Sequence, residues 1–119
     1  VIRKKEEGME EAALYLKSIG ASLVTTLESL KADCSELPKP KLALNCLGGE
    51  SATAVAKVLD VGGTLVTYGG MAKKPVTIPT PLLIFKDIRL RGFWLSGRWM
   101  PASTHEEREE MFGELCGHI

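Results

Sequence analysis

Leu65-Val66-Thr67-Tyr68-Gly69-Gly70-Met71 is an apolar, β-branched run that stops at an aromatic residue and two glycines. A buried strand ending this way exposes bare backbone at its tip, where a flat ligand can lie against N–H and C=O groups with no Cβ in the way. Upstream, Lys41-Leu-Ala-Leu-Asn-Cys-Leu-Gly48-Gly49 repeats the plan: an apolar strand, two glycines, then a helical pattern. In a parallel sheet the two tips share the carboxyl edge, where open α/β folds bind their ligands.

The rest of the chain supports that edge. Val1-Ile2 reads as the end of a strand, with Arg3-Lys4-Lys5 at its tip. Met9 to Ser18 carries Met9, Ala12, Ala13, Leu14 and Leu16 on one stripe, with Glu10 and Glu11 in the first turn and Gly20 placed for the C′ position. Ala21 to Thr25 reads as a short strand, and Thr26 as the cap of a brief helix over Leu27 to Lys31. Leu42 to Leu47 is a near-continuous apolar strand interrupted by Asn45, which suits a sheet covered on both faces. Ser51 is placed to cap a helix whose buried face would be Ala54, Val55, Val58 and Leu59. After the strand Thr64 to Tyr68 come a loop from Met71 to Pro79, a Pro-started helix over Pro81 to Lys86 and a strand over Ile88 to Leu95. Met100-Pro101 should break the chain before a last helix capped by Thr104, with Met111, Phe112, Leu115 and Cys116 on its apolar side. Strand, helix and strand succeed each other twice with crossovers long enough for parallel pairing. The fold class is therefore α/β, a partial Rossmann-type doubly wound parallel sheet, with residues 1–119 as an incomplete dinucleotide-binding domain.

Charge and cysteine content narrow the function. The 119 residues hold 15 basic and 15 acidic side chains, which argues against a nucleic-acid or membrane-surface protein that binds through overall charge. Runs such as Pro81-Leu-Leu-Ile-Phe85 fall far short of the roughly 20 apolar residues that span a bilayer. Cys34, Cys46 and Cys116 are odd in number and widely spaced, as expected of reduced thiols inside a cell. Neither Val1 nor Ile119 reads as a natural terminus, so the expectation is a piece of a longer protein.

Three segments carry candidate chemistry. In a dinucleotide fold the tip of the second strand faces the adenosine ribose, where an acid selects NAD and a basic residue accommodates the 2′-phosphate of NADP. Arg3, Lys4 and Lys5 point to NADPH, with Arg3 as principal contact because its planar fork grips a phosphate. Tyr68, Gly69, Gly70 and Met71 offer a ring and open backbone suited to a nicotinamide. Phe93, Trp94 and Leu95 end the last strand, where aromatics serve equally well as core, as cofactor wall or as an oligomer seam. If strand 88–95 lies at the sheet edge, its unpaired backbone favours a second copy, giving a homodimer. His105 and His118 are assigned no chemistry, and no catalytic set or metal cluster is legible in the sequence.

At these same segments the chain resembles a known family. Val1-Ile-Arg3, Leu42 to Gly49, Val66 to Met71, Lys74-Pro-Val76, Leu83-Ile-Phe-Lys-Asp87 and Leu90-Arg-Gly-Phe-Trp-Leu-Ser96 are similar to the mitochondrial trans-2-enoyl-thioester reductases, zinc-independent members of the medium-chain dehydrogenase/reductase superfamily. The resemblance implies a matrix enzyme of fatty-acid synthesis with a GroES-like catalytic part and a Rossmann part. It further implies a dimer that uses NADPH to reduce 2-enoyl groups carried on acyl carrier protein or coenzyme A. By the same resemblance Arg3, Lys4 and Lys5 hold the 2′-phosphate, and Tyr68 to Met71 with Phe93 to Leu95 surround the nicotinamide. The family's Arg-Asp-Arg cluster reads Arg-Lys-Lys here, which leaves one guanidinium fork fewer. The catalytic tyrosine and the glycine-rich pyrophosphate turn belong to parts outside this stretch, so the stretch alone is expected to be inactive. Alternatives are a quinone reductase or alcohol dehydrogenase of the same superfamily, and a non-catalytic dinucleotide-binding or interaction module.

Overall fold

The computed structural model describes residues 1–2 and 8–118. Helices α1 (Met9–Ser18) and α2 (Leu30–Asp33) precede strand β1 (Leu42–Asn45), helix α3 (Gly49–Val58) and strand β2 (Thr64–Thr67). Helix α4 (Thr80–Lys86) and strand β3 (Arg89–Gly92) follow. A π-helical turn over Leu95–Trp99 then runs into the short α5 (Met100–Ala102), and α6 (His105–Gly117) completes the order.

The three strands form one parallel sheet in the order β1-β2-β3, with Ala43 beside Leu65 and Leu65 beside Leu90. Because side chains alternate across a strand, Ala43 and Leu65 turn to one face and Leu42, Leu44 and Val66 to the other. The first face is covered: Ala52, Ala56 and Leu59 pack with Leu65 and Ile88, and Val55, Ile78 and Leu82 close the rim. Ala52, Ala56, Leu59 and Leu65 are fully buried. The second face is open, with Leu42 and Leu44 largely exposed. The expected cover on both faces is thus corrected to one, since the helices of residues 8–118 that pack on the sheet lie on the Leu65 side.

Local chemistry explains most boundaries. Helix α1 ends in a Schellman arrangement, in which Gly20 at φ 106° donates to Lys17 O and Ala21 donates to Leu16 O. The expected stripe of α1 lies largely in solvent, with Leu14 exposed and no residue buried. Helix α4 starts at Pro79-Thr80-Pro81 and ends at Asp87, whose left-handed φ of 47° turns the chain into β3. Thr104 caps α6 in a full capping box: its hydroxyl accepts from Glu107 N at 3.2 Å, and Glu107 Oε2 accepts from Thr104 N at 2.8 Å.

Four further expectations are corrected. The strand over Ala21 to Thr25 shrinks to a single parallel bridge between Ile2 and Thr26, with Ile2 N donating to Thr25 O at 2.8 Å. The brief helix starts at Leu30, three residues later than read. Helix α3 begins at Gly49 with Gly48 at its N-cap, so Ser51 sits inside the first turn; its buried positions are Ala52 and Ala56, and Ala54 and Val58 are only half-buried. Met100-Pro101 continues a helical path instead of breaking it, since proline is tolerated in a first turn.

Candidate functional site

The site is built on the carboxyl ends of β1 and β2. After Asn45 the chain turns through Cys46 and Leu47 to Gly48, whose φ of 86° and ψ of −166° lie in a region open essentially to glycine alone. Gly48 forms a parallel bridge with Lys74, and a Cβ at Gly48 would stand 2.6 Å from Lys74 O. Gly49 donates to Pro75 O at 3.2 Å. The loop after Met71 therefore lies as a strap over the turn into α3.

The second tip hangs on the first. Tyr68 N donates to Asn45 O, Met71 N to Cys46 O and Ala72 N to Leu47 O, each at 3.0 Å. Gly69 passes close enough to β1 that a Cβ there would lie 3.1 Å from Cys46 O, whereas a Cβ at Gly70 would meet open space. The Cys46 thiol forms a side-chain hydrogen bond with the Tyr68 phenol, which holds the phenol above its ordinary value of 10.0. β3 joins the same edge through Phe93 N, which donates to Thr67 O at 2.9 Å.

On the open face these tips enclose a groove of about 460 Å³ lined by Leu44, Val66, Tyr68, Phe93 and Leu95. Tyr68, Phe93 and Leu95 come from two of the three segments singled out in the sequence. Leu44 and Val66, missed there, form its floor, as the period-2 alternation from Tyr68 backward could have indicated. Trp94 turns away: it lines a neighbouring hollow with Arg98, Trp99 and Ala102, and its ring occupies the space where a Gly97 side chain would stand. Met71 projects into solvent, 77% exposed, and is absent from the groove lining. A cleft of about 330 Å³ opens between Val1-Ile2, Thr26 to Glu28, Leu47 and Ser51. Arg3, Lys4 and Lys5, read as the 2′-phosphate contacts, lie outside the described residues. A larger apolar groove of about 640 Å³ between α2, α3 and α4 contains none of the residues read as functional.

The groove is an apolar slot walled by two aromatic rings, with backbone and a polar hydroxyl at one end. Such a site can seat and orient a flat heteroaromatic ring and keep water from one of its faces. Among the described residues no three His, Cys, Asp or Glu side chains are grouped to hold a metal ion, and no helix is long and apolar enough to cross a membrane. Cys34, Cys46 and Cys116 are free thiols.

A family model described as zinc-binding dehydrogenase matches residues 7–113. The chain is 49% identical over 117 residues to the mitochondrial enoyl-[acyl-carrier-protein] reductase of Caenorhabditis elegans, covering 98% of this chain and 34% of that protein. Its fold matches the solved complex of Etr1p with NADP and crotonyl-CoA at a TM-score of 0.74 and 39% identity, over 80% of this chain and 29% of the other. The mitochondrial 2-enoyl thioester reductase Etr1p/Etr2p heterodimer from Candida tropicalis matches to the same TM-score of 0.74. The chain spans about a third of the length of these relatives.

Proposed function

Because the chain belongs to the zinc-binding dehydrogenase family, we propose that it is the nucleotide-binding portion of an NADPH-dependent enoyl thioester reductase of mitochondria. Its substrate would be a trans-2-enoyl group on acyl carrier protein or coenzyme A. The observation that carries this reading is the groove in which Tyr68 meets Phe93 and Leu95 beside the glycine tips, on a parallel sheet like that of relatives solved with NADP. No set of the described residues fits a zinc site.

In this reading NADPH, when bound, supplies a hydride to the β-carbon of the enoyl thioester, and a proton is added at the α-carbon. The residues of this chain bind and orient. Tyr68, Phe93 and Leu95 wall the nicotinamide and exclude water from one face, and the backbone of Gly69 and Gly70 allows close approach. The cleft beside Ile2, Leu47 and Ser51 takes the adenosine end, and Arg3, Lys4 and Lys5 neutralise its 2′-phosphate. Trp94 is assigned to the edge hollow with Arg98 and Trp99, not to the nicotinamide wall. Orientation of the donor matters because it removes entropy from the barrier, up to about 7–11 kcal/mol in the best intramolecular cases.

The 2′-phosphate role is tested in the full-length enzyme by titrating NADPH and NADH into Arg3→Ala. Loss of a charge-assisted contact should weaken NADPH roughly tenfold or more and leave NADH unchanged; equal losses for both cofactors would overturn the role. Turnover of a 2-enoyl thioester, with none of a quinone or an alcohol, separates the reductase from the rest of its superfamily. β3, at one edge of the described sheet with all four of its residues exposed, supplies the seam of a homodimer. Leu90→Pro should then shift the enzyme from dimer to monomer in sedimentation. Arg98 is assigned to attract acidic acyl carrier protein, an effect that rising salt should suppress for carrier-linked substrate alone.

A further inference from the structure

Asn45 is polar, sits at the end of an apolar strand and is 5% exposed. Its side chain is shared between both glycine tips. Oδ1 accepts from Leu47 N at 3.2 Å and from Gly48 N at 3.0 Å, while Nδ2 donates to Thr67 Oγ1 at 3.1 Å. The backbone N–H groups can only donate, so the amide orientation is fixed: oxygen to the turn before α3, nitrogen to the end of β2. Its main-chain oxygen receives Tyr68 N, so one residue holds the start of the Leu47–Gly49 turn and the start of the Tyr68–Met71 tip.

We propose that Asn45 is a positioning residue, a tie that fixes the spacing between the adenosine-side cleft and the nicotinamide-side groove so that a dinucleotide spanning both meets them in register. The inference rests on the cofactor reading above. A ligand that must engage two sites at once depends on their separation, whereas a ligand that fills only one does not. Asn45 touches neither reacting atoms nor the groove, and acts through the two tips it joins.

The test compares NADPH with two half-ligands, 2′,5′-ADP and reduced nicotinamide mononucleotide, in the full-length enzyme by calorimetry. Thr67→Val leaves the Oδ1 contacts in place and removes only the acceptor of Nδ2. It should raise the Kd for NADPH about threefold while both half-ligands stay within error. Asn45→Leu removes the whole tie and should cost NADPH tenfold or more, with at most twofold for 2′,5′-ADP. Asn45→Asp keeps the acceptor and lets the Thr67 hydroxyl donate instead, and should recover most of that loss. A merely structural role would weaken half-ligands and dinucleotide alike; that result, or unchanged NADPH affinity in Thr67→Val, overturns the proposal. If Asn45→Leu fails to fold, Thr67→Val decides. Failure of the unaltered enzyme to bind NADPH would instead overturn the cofactor reading, and the tie with it.

Discussion

The two glycine pairs stand at equivalent places, each at the carboxyl end of a parallel strand, and they use the missing side chain for opposite purposes. Gly48 and Gly49 have positive φ of 86° and 55°, and Lys74 packs over both. Their lack of a Cβ serves the chain's own contacts. Gly70 adopts no left-handed φ and faces open space. Nothing among its described neighbours requires glycine there, and in the proposed reading the open space is left to the nicotinamide. Gly69 stands between, close to Cys46 O yet free of backbone strain. A glycine that the fold needs and a glycine that a ligand needs look the same in a sequence; φ and the nearest atom separate them.

Substitution with alanine turns that contrast into a ranked series. Gly48→Ala should do the most damage: the backbone region alone costs up to about 3 kcal/mol, and the clash with Lys74 O adds to it. Thermal melting of the full-length enzyme should show a drop of many degrees, and an unchanged Tm would break the comparison. Gly69→Ala should cost less, about 1 kcal/mol, because Cys46 O need yield only a few tenths of an ångström. Gly70→Ala should leave Tm within error while weakening NADPH at least tenfold, since a methyl would occupy the space assigned to the nicotinamide. If it alters neither, the functional half of the contrast fails. The smallest effect is one of pH. The Cys46 hydrogen bond raises the Tyr68 phenol above 10.0, so above that pH the unfolded phenol ionises first while the folded one keeps its proton. Stability should therefore fall as pH rises from 10 towards the folded value, and Tyr68→Phe should remove that slope. The solvent exposure of Tyr68 keeps the change slight.

What the sequence made legible follows from how strongly each signal is coded. Two apolar runs ending in Gly-Gly, separated by a helical pattern, dictate a parallel pair with both tips on one edge, and β1 and β2 follow that plan. The Thr104–Glu107 spacing fixed the start of α6. On α3, Val55 and Leu59 pack where the periodicity puts them, whereas the fully buried Ala52 and Ala56 carry little hydrophobic weight, and their smallness is what lets the helix approach the sheet. Trp94 shares its segment with Phe93 and Leu95, but strand alternation sends it to the other side. Asn45 reads as an interruption of an apolar strand. A polar residue inside a strand expected to be buried must have partners, and that was the signal that could have found its role. The basic triplet Arg3, Lys4 and Lys5 remains an assignment from its place after Val1-Ile2 in the sequence.

The π-helical turn at Leu95–Trp99 bears on how this stretch tolerates changes of length. Trp94 O receives both Arg98 N at 3.1 Å and Trp99 N at 3.0 Å, so the loop of chain holds one residue more than an ordinary helical turn. Deleting that residue would tighten the winding and swing everything downstream by roughly 100° about the axis. The aromatic edge before it and α6 after it are thus phased by a count of residues, and a single-codon deletion would reset the phase where a point substitution would not.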